Sequence, residues 1–125
     1  DGTAIRKGWF QDSLKTHHGG MVLLDGTLHG ASKSKWYCLD QQTGDVKYEA
    51  ELVGKGSVIY ADGMLYCYGE KGNLGLVKVK PDGYEMVSSV KITKGEKDHW
   101  AQPAISSGRL YIRHGAVLMC FDIQR

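Results

Sequence analysis

No stretch of this sequence carries a convincing helical period of apolar residues, and none approaches the roughly 18 consecutive apolar residues that take a helix across a bilayer. No signal-like segment opens the chain at Asp1-Gly2-Thr3, which leaves both a removed leader and a longer parent chain open. Lys and Arg exceed Asp and Glu only 16 to 14, and no basic stripe is interleaved with aromatics. Neither nucleic acid nor an anionic membrane is therefore expected as a partner. The lysines of Lys33-Ser34-Lys35 and of Lys91 to Lys97 read as solvated loops. Chemistry-bearing motifs are equally scarce: there is no Gly-x-Ser-x-Gly elbow, no adjacent Cys-Cys pair and no Cys-x-x-Cys-His haem site, so no catalytic residue is assigned. Three cysteines cannot all pair. Cys38, Cys67 and Cys120 each lie in an apolar run and are expected as buried core thiols.

What is present is glycine, 17 of 125 residues, much of it marking a phrase written three times. An apolar run, an Asp-Gly or Ser-Gly pair and a second apolar run recur at Met21 to Leu28, Ser57 to Tyr66 and Ala104 to Tyr111. Such pairs favour a type I′ hairpin, because both central residues need positive φ and Gly and Asp tolerate it. Beyond the turns, Leu39-Asp40 and Phe121-Asp122 stand at the same distance from Gly26 and Gly108, so Cys38 and Cys120 share a repeat position. Asp40 and Asp122 share the next but one, which suggests a recurring turn bond to backbone amides. The turn glycines are spaced 37 and then 45 residues apart, the length of a four-stranded propeller blade.

The expected fold is all-β: a partial β-propeller of about three four-stranded antiparallel blades in a single domain, residues 1–125. Strands are predicted at Met21–Leu24, Leu28–Ala31, Trp36–Asp40 and Val46–Ala50 for a blade spanning 17–53. The blade spanning 54–95 takes Ser57–Tyr60, Met64–Tyr68, Leu74–Lys80 and Tyr84–Ile92, and the incomplete blade spanning 99–125 takes Ala104–Ser106, Arg109–Ile112 and Val117–Ile123. A lone strand over Ile5–Phe10 is the candidate to complete a blade. Three blades cannot close a ring, so the chain is expected either to belong to a longer one or to assemble as a homo-oligomer.

The segment Cys38-Leu39-Asp40-Gln41-Gln42-Thr43-Gly44-Asp45-Val46-Lys47-Tyr48 resembles the repeat of pyrroloquinoline-quinone-like (quinoprotein alcohol dehydrogenase-like) β-propellers: leucine, aspartate, a short spacer, threonine-glycine, then an aromatic. His17-His18-Gly19-Gly20, Gly54 to Val58, Ala61 to Cys67 and His99 to Pro103 resemble the carboxy-terminal blades of bacterial proteins of this type. The resemblance implies a scaffold placed in the periplasm or outside the cell, with Tyr48 in the position of the tryptophan that docks one blade on the next. It implies no cofactor here: the enzymes' vicinal disulfide and carboxylate-rich calcium site find no matching residues. Two functions follow, a non-catalytic binding or scaffold module within a larger propeller, or a fragment of an alcohol or sugar dehydrogenase using pyrroloquinoline quinone with calcium.

The repeat frame also locates a candidate site. Nine residues before each turn glycine stand His17, Gly54 and His99, so His17, His18, Lys55, His99 and Trp100 should converge where the innermost strands begin, at one mouth of the channel. Imidazoles, an ammonium and an indole around an opening suit an anionic or aromatic ligand, offered by a protein, a glycan or a small molecule. His17, His18 and His99 together would also suit a transition metal. His29 and His114 are expected away from the mouth, at the surface or between blades, and Trp36 in the core or between blades.

Overall fold

The three repeated turns fold as their residues demand. In the computed structural model, which describes residues 2–124, φ is positive at both central residues of each: 46° and 82° at Asp25-Gly26, 51° and 77° at Asp62-Gly63, 52° and 70° at Ser107-Gly108. They join β1 (Val22–Leu24) to β2 (Thr27–Ser32), β5 (Gly56–Ala61) to β6 (Met64–Gly69) and β9 (Ala104–Ser106) to β10 (Arg109–His114). The other strands are β3 (Lys35–Asp40), β4 (Val46–Ala50), β7 (Asn73–Lys80), β8 (Gly83–Lys91) and β11 (Val117–Asp122). All pairings are antiparallel between chain neighbours, giving sheets β1-β2-β3-β4, β5-β6-β7-β8 and β9-β10-β11. The fold is all-β, a partial propeller of three blades, with no helix among the described residues and none able to span a membrane.

Side-chain alternation gives each blade two faces. Blade one turns His29, Ala31, Trp36 and Cys38 toward blade two, and Ala31 and Trp36 form one core with Val58, Leu65, Cys67 and Val77. Blade two turns Tyr66, Tyr68 and Leu74 the other way, where Leu110 and Ile112 of blade three close a second core. Both faces of blade two are thus buried, which explains why β6 reads as an almost unbroken apolar run.

Docking polar bonds repeat with the same frame. Tyr48 donates its hydroxyl to the carbonyl of Lys80 at 2.8 Å, and its ring meets Tyr84 edge-on at 5.0 Å, tying blade one to blade two. Trp9 makes the equivalent bond one repeat earlier, from its indole N–H to the carbonyl of Gln41 at 3.0 Å. It lies so close over Gly44 that any Cβ there would enter the ring. Trp36 donates to the carbonyl of Gly54 at 2.7 Å. Asp40 accepts the N–H groups of Gln42 and Thr43, which lower its pKa, and Asp122 accepts that of Gln124; the recurring aspartate caps a turn.

Two expectations are corrected. Residues 5–10 form no strand: Ile5 and Phe10 are exposed, and the segment runs as an extended coil that delivers Trp9 to blade one. An isolated strand has no ladder to join, whereas the Trp9 bond and ring contact satisfy the segment without one. Cys120 is exposed although Cys38, at the same repeat position, and Cys67 are buried. Both Cys38 and Cys120 point to the forward face of their blades, and only blade one has a neighbour on that face. With excess thiol reagent on the folded protein, Cys120 should react first and Cys38 and Cys67 only on unfolding, as mass mapping of the labelled cysteines would read.

His29 is fully buried between blades one and two. The hydroxyl of Thr27 donates to the carbonyl of Leu24, so it accepts the His29 Nε2–H at 2.8 Å, and Nδ1 accepts from the Tyr84 hydroxyl at 2.8 Å. The ring is therefore held neutral, and burial lowers its pKa to about 4. Because the unfolded chain takes this proton first, the stability that neutral His29 supplies is complete above about pH 6.5 and is lost as pH falls toward 4. The loss reaches about 3 kcal/mol. Urea melts at stepped pH should show that fall, and His29→Gln should flatten it; an equally steep fall in the variant would contradict this assignment.

Candidate functional site

The segment before β1 is laid against the start of β5, with Gly19 so close to Gly56 and Ser57 that a side chain there would strike the Gly56 carbonyl. This close approach carries His18 to the place where blades one and two begin. Its ring lies 5.5 Å from that of Trp100 at a tilt of 34°, and 5.6 Å from His17, edge-on. Lys55 Nζ stands 3.7 Å from an oxygen of Glu70, near enough for ion pairing, and His18 Nε2 stands 3.7 Å from the same oxygen, both too far for hydrogen bonds. Four of the five expected residues, His17, His18, Lys55 and Trp100, are thereby linked through rings and charge.

His18 is the unusual member. Both of its ring nitrogens are shielded from solvent without a hydrogen-bond partner, as is the hydroxyl of fully buried Ser57 on β5. Unpaired buried polar groups each cost roughly 1–3 kcal/mol, so such a cluster is where a structure offers free valence to something else. Beside it opens a cleft of about 340 Å³ lined by Lys33, Ser34, Val53, Gly54, Lys55, Glu70 and Lys71. Three ammonium groups against one carboxylate leave it with an excess of positive charge.

His99 is placed elsewhere. It is 7% exposed, takes a hydrogen bond on Nδ1 from the Tyr68 hydroxyl and stacks on His114, so it belongs to the packing between blades two and three and not to the opening. The trio His17, His18 and His99 consequently does not form a metal site, and no group of three or more His, Cys, Asp or Glu among the described residues is placed to hold an ion. His29, His114 and Trp36 are all buried. The residues that sequence reasoning passed over are Glu70, Lys33, Lys71 and Ser57. A signal existed for two of them: seven residues after each turn glycine come Lys33, Glu70 and Gly115, so Lys33 and Glu70 share a repeat position at the same end of adjacent blades.

No family model matches the chain, and no curated protein matches it. Function is therefore read from geometry. Because His99 is packed and bonded while His17 is exposed, His99→Ala should cost about 2–3 kcal/mol in a urea melt and His17→Ala less than about 0.5 kcal/mol. Equal effects would contradict the separate roles.

Proposed function

We propose that this chain is a non-catalytic binding or scaffold module built of quinoprotein-like propeller blades, and that its ligand is seated where the strands of blades one and two begin. The observation that carries the reading is the His18 ring, with both nitrogens without a hydrogen-bond partner, 5.5 Å from the Trp100 ring and 3.7 Å from Glu70 of a lysine-lined cleft. Its ligand has a flat ring or apolar body to lie on Trp100 and His18, and a carboxylate, phosphate or sulfate for Lys33, Lys55 and Lys71. The Trp9 and Tyr48 bonds, each reaching the next blade's turn carbonyl, support the resemblance to the quinoprotein-like repeat.

The scaffold reading is preferred to the dehydrogenase reading on the donor set. A calcium-bound quinone needs clustered carboxylate or carbonyl oxygens, and the described residues supply no group of metal-ligating side chains for it. Under this reading the chain works outside the cytoplasm. Its blades stand within a larger ring, formed by a longer chain or by further copies, whose next blade covers the exposed Leu118 and Cys120.

Benzoate and inorganic phosphate are the first probes. Titration with benzoate followed by NMR should move the His18 and Trp100 ring signals and the Lys55 side chain, phosphate should move Lys55 alone, and Lys55→Ala should weaken benzoate binding about tenfold or more. Absence of any shift at these residues up to tens of millimolar would overturn the site. Bound-quinone absorbance after adding pyrroloquinoline quinone with calcium, accompanied by dye reduction by alcohols, would overturn the non-catalytic assignment.

A further inference from the structure

The connection from β8 to β9 passes through a loop, residues 93–98, in which every residue except Gly95 is exposed. It starts at Ile92, buried in the second core and bonded through its N–H to the carbonyl of Gly72 at 2.8 Å, and ends at buried His99. Apolar burial therefore does nothing to hold its middle. What holds it is an imidazole from the next blade: His114, at the end of β10, sets Nδ1 2.6 Å from the carbonyl oxygen of Lys94 and Nε2 2.7 Å from that of Lys97. The loop wraps this ring so tightly that a Cβ at Gly95 would strike it, and Gly95 sits at φ 94°.

Each ring nitrogen thus has a carbonyl oxygen of the loop within hydrogen-bond distance, and whichever nitrogen carries the proton donates to the oxygen it faces. Against this ring lies His99, face to face, with centroids 3.5 Å apart and planes 16° apart. His99 is held neutral. Its Nδ1 meets the hydroxyl of Tyr68, a group that burial keeps neutral by pushing its pKa up to about 12, so the tyrosine donates and the imidazole accepts. The other edge of the His99 ring is pressed onto Gly72, at φ 93°, where a side chain would collide with it. Burial first, then His114 and Lys91 at the end of β8, disfavour a charge on His99, while Asp98 alone favours it. The remaining charged side chains of the loop, Lys94, Glu96 and Lys97, are exposed to solvent.

We propose that the His99–His114 stack is an acid-released latch, which fastens residues 93–98 onto blade three while His99 is neutral and lets them go when His99 takes a proton. Protonation of His99 would put a positive charge flat against a second imidazole in a buried contact and would turn Nδ1 from acceptor to donor against the tyrosine. Opening the stack relieves both. The sign follows from the depressed pKa: the latch is fully closed above the ordinary histidine value of about 6.5 and loosens as pH falls below it. Trp100 follows His99 directly, so release also frees the indole that faces His18.

Hydrogen exchange on the full chain tests this, with rates for 93–98 corrected for intrinsic pH dependence and referred to the β6 amides. Between pH 7.5 and 4.5 the relative opening of 93–98 should rise steadily as pH falls. His99→Phe keeps a flat ring against His114 without the charge, and should abolish the rise. An unchanged ratio in the wild type, or the same rise in His99→Phe, would overturn the latch. Should that variant fail to fold, NMR titration of the wild-type His99 ring decides: its protonation should coincide with movement of the 93–98 amide signals, and protonation without such movement refutes the proposal.

Discussion

A sheet with two apolar faces must be covered twice, and the rest of this molecule depends on that requirement. Blade two meets it fully: Leu65, Cys67 and Val77 face blade one while Tyr66, Tyr68 and Leu74 face blade three, so each neighbour supplies half of its core. Buried apolar area contributes about 25 cal/mol per Å², and both buried clusters join residues of two blades. Removing one blade would strip a face from the next. The hydrogen bonds of Trp36 and Tyr48 add direction to this non-directional attraction, because each joins a ring to one carbonyl of the following blade, while that of Trp9 fastens the leading coil onto blade one.

Radial stacking brings the starts of β1 and β5 together and gathers the loops that lead into them. The same packing that shields apolar side chains shields the His18 nitrogens and the Ser57 hydroxyl, without giving them partners. The charges of Lys55 and Glu70 stand near enough to be felt and too far to saturate. Polar groups in this condition are costly while they stay unpaired, and the proposed ligand site rests on that cost. By contrast, His29 between blades one and two and His99 between blades two and three are engaged with tyrosine hydroxyls, and their chemistry is spent on joining blades.

Much of the architecture was legible because it rests on local rules. Positive φ at Asp25-Gly26, Asp62-Gly63 and Ser107-Gly108 is a property of two residues, and alternation about those turns assigns eleven strands to within a residue or two. Local rules failed where a partner distant in sequence decides the outcome. Residues 5–10 look like a strand by composition, but a strand requires an edge to pair with, and the nearest opportunity was a carbonyl 32 residues away for the Trp9 indole. Cys38 and Cys120 are indistinguishable in the repeat frame and differ in exposure because only one has a blade in front of it. The candidate site divides the same way: the frame brought His17, His18, Lys55 and Trp100 to one end, and located His99 there too. Only packing against Tyr68 and His114 shows that its ring turns away from the opening. Sequence alone determined the turns, the repeat and the end of the molecule at which polar residues gather, since these depend on backbone preference and spacing. The tertiary structure decided which of those residues remain free, because a side chain's availability depends on what the neighbouring blade places against it.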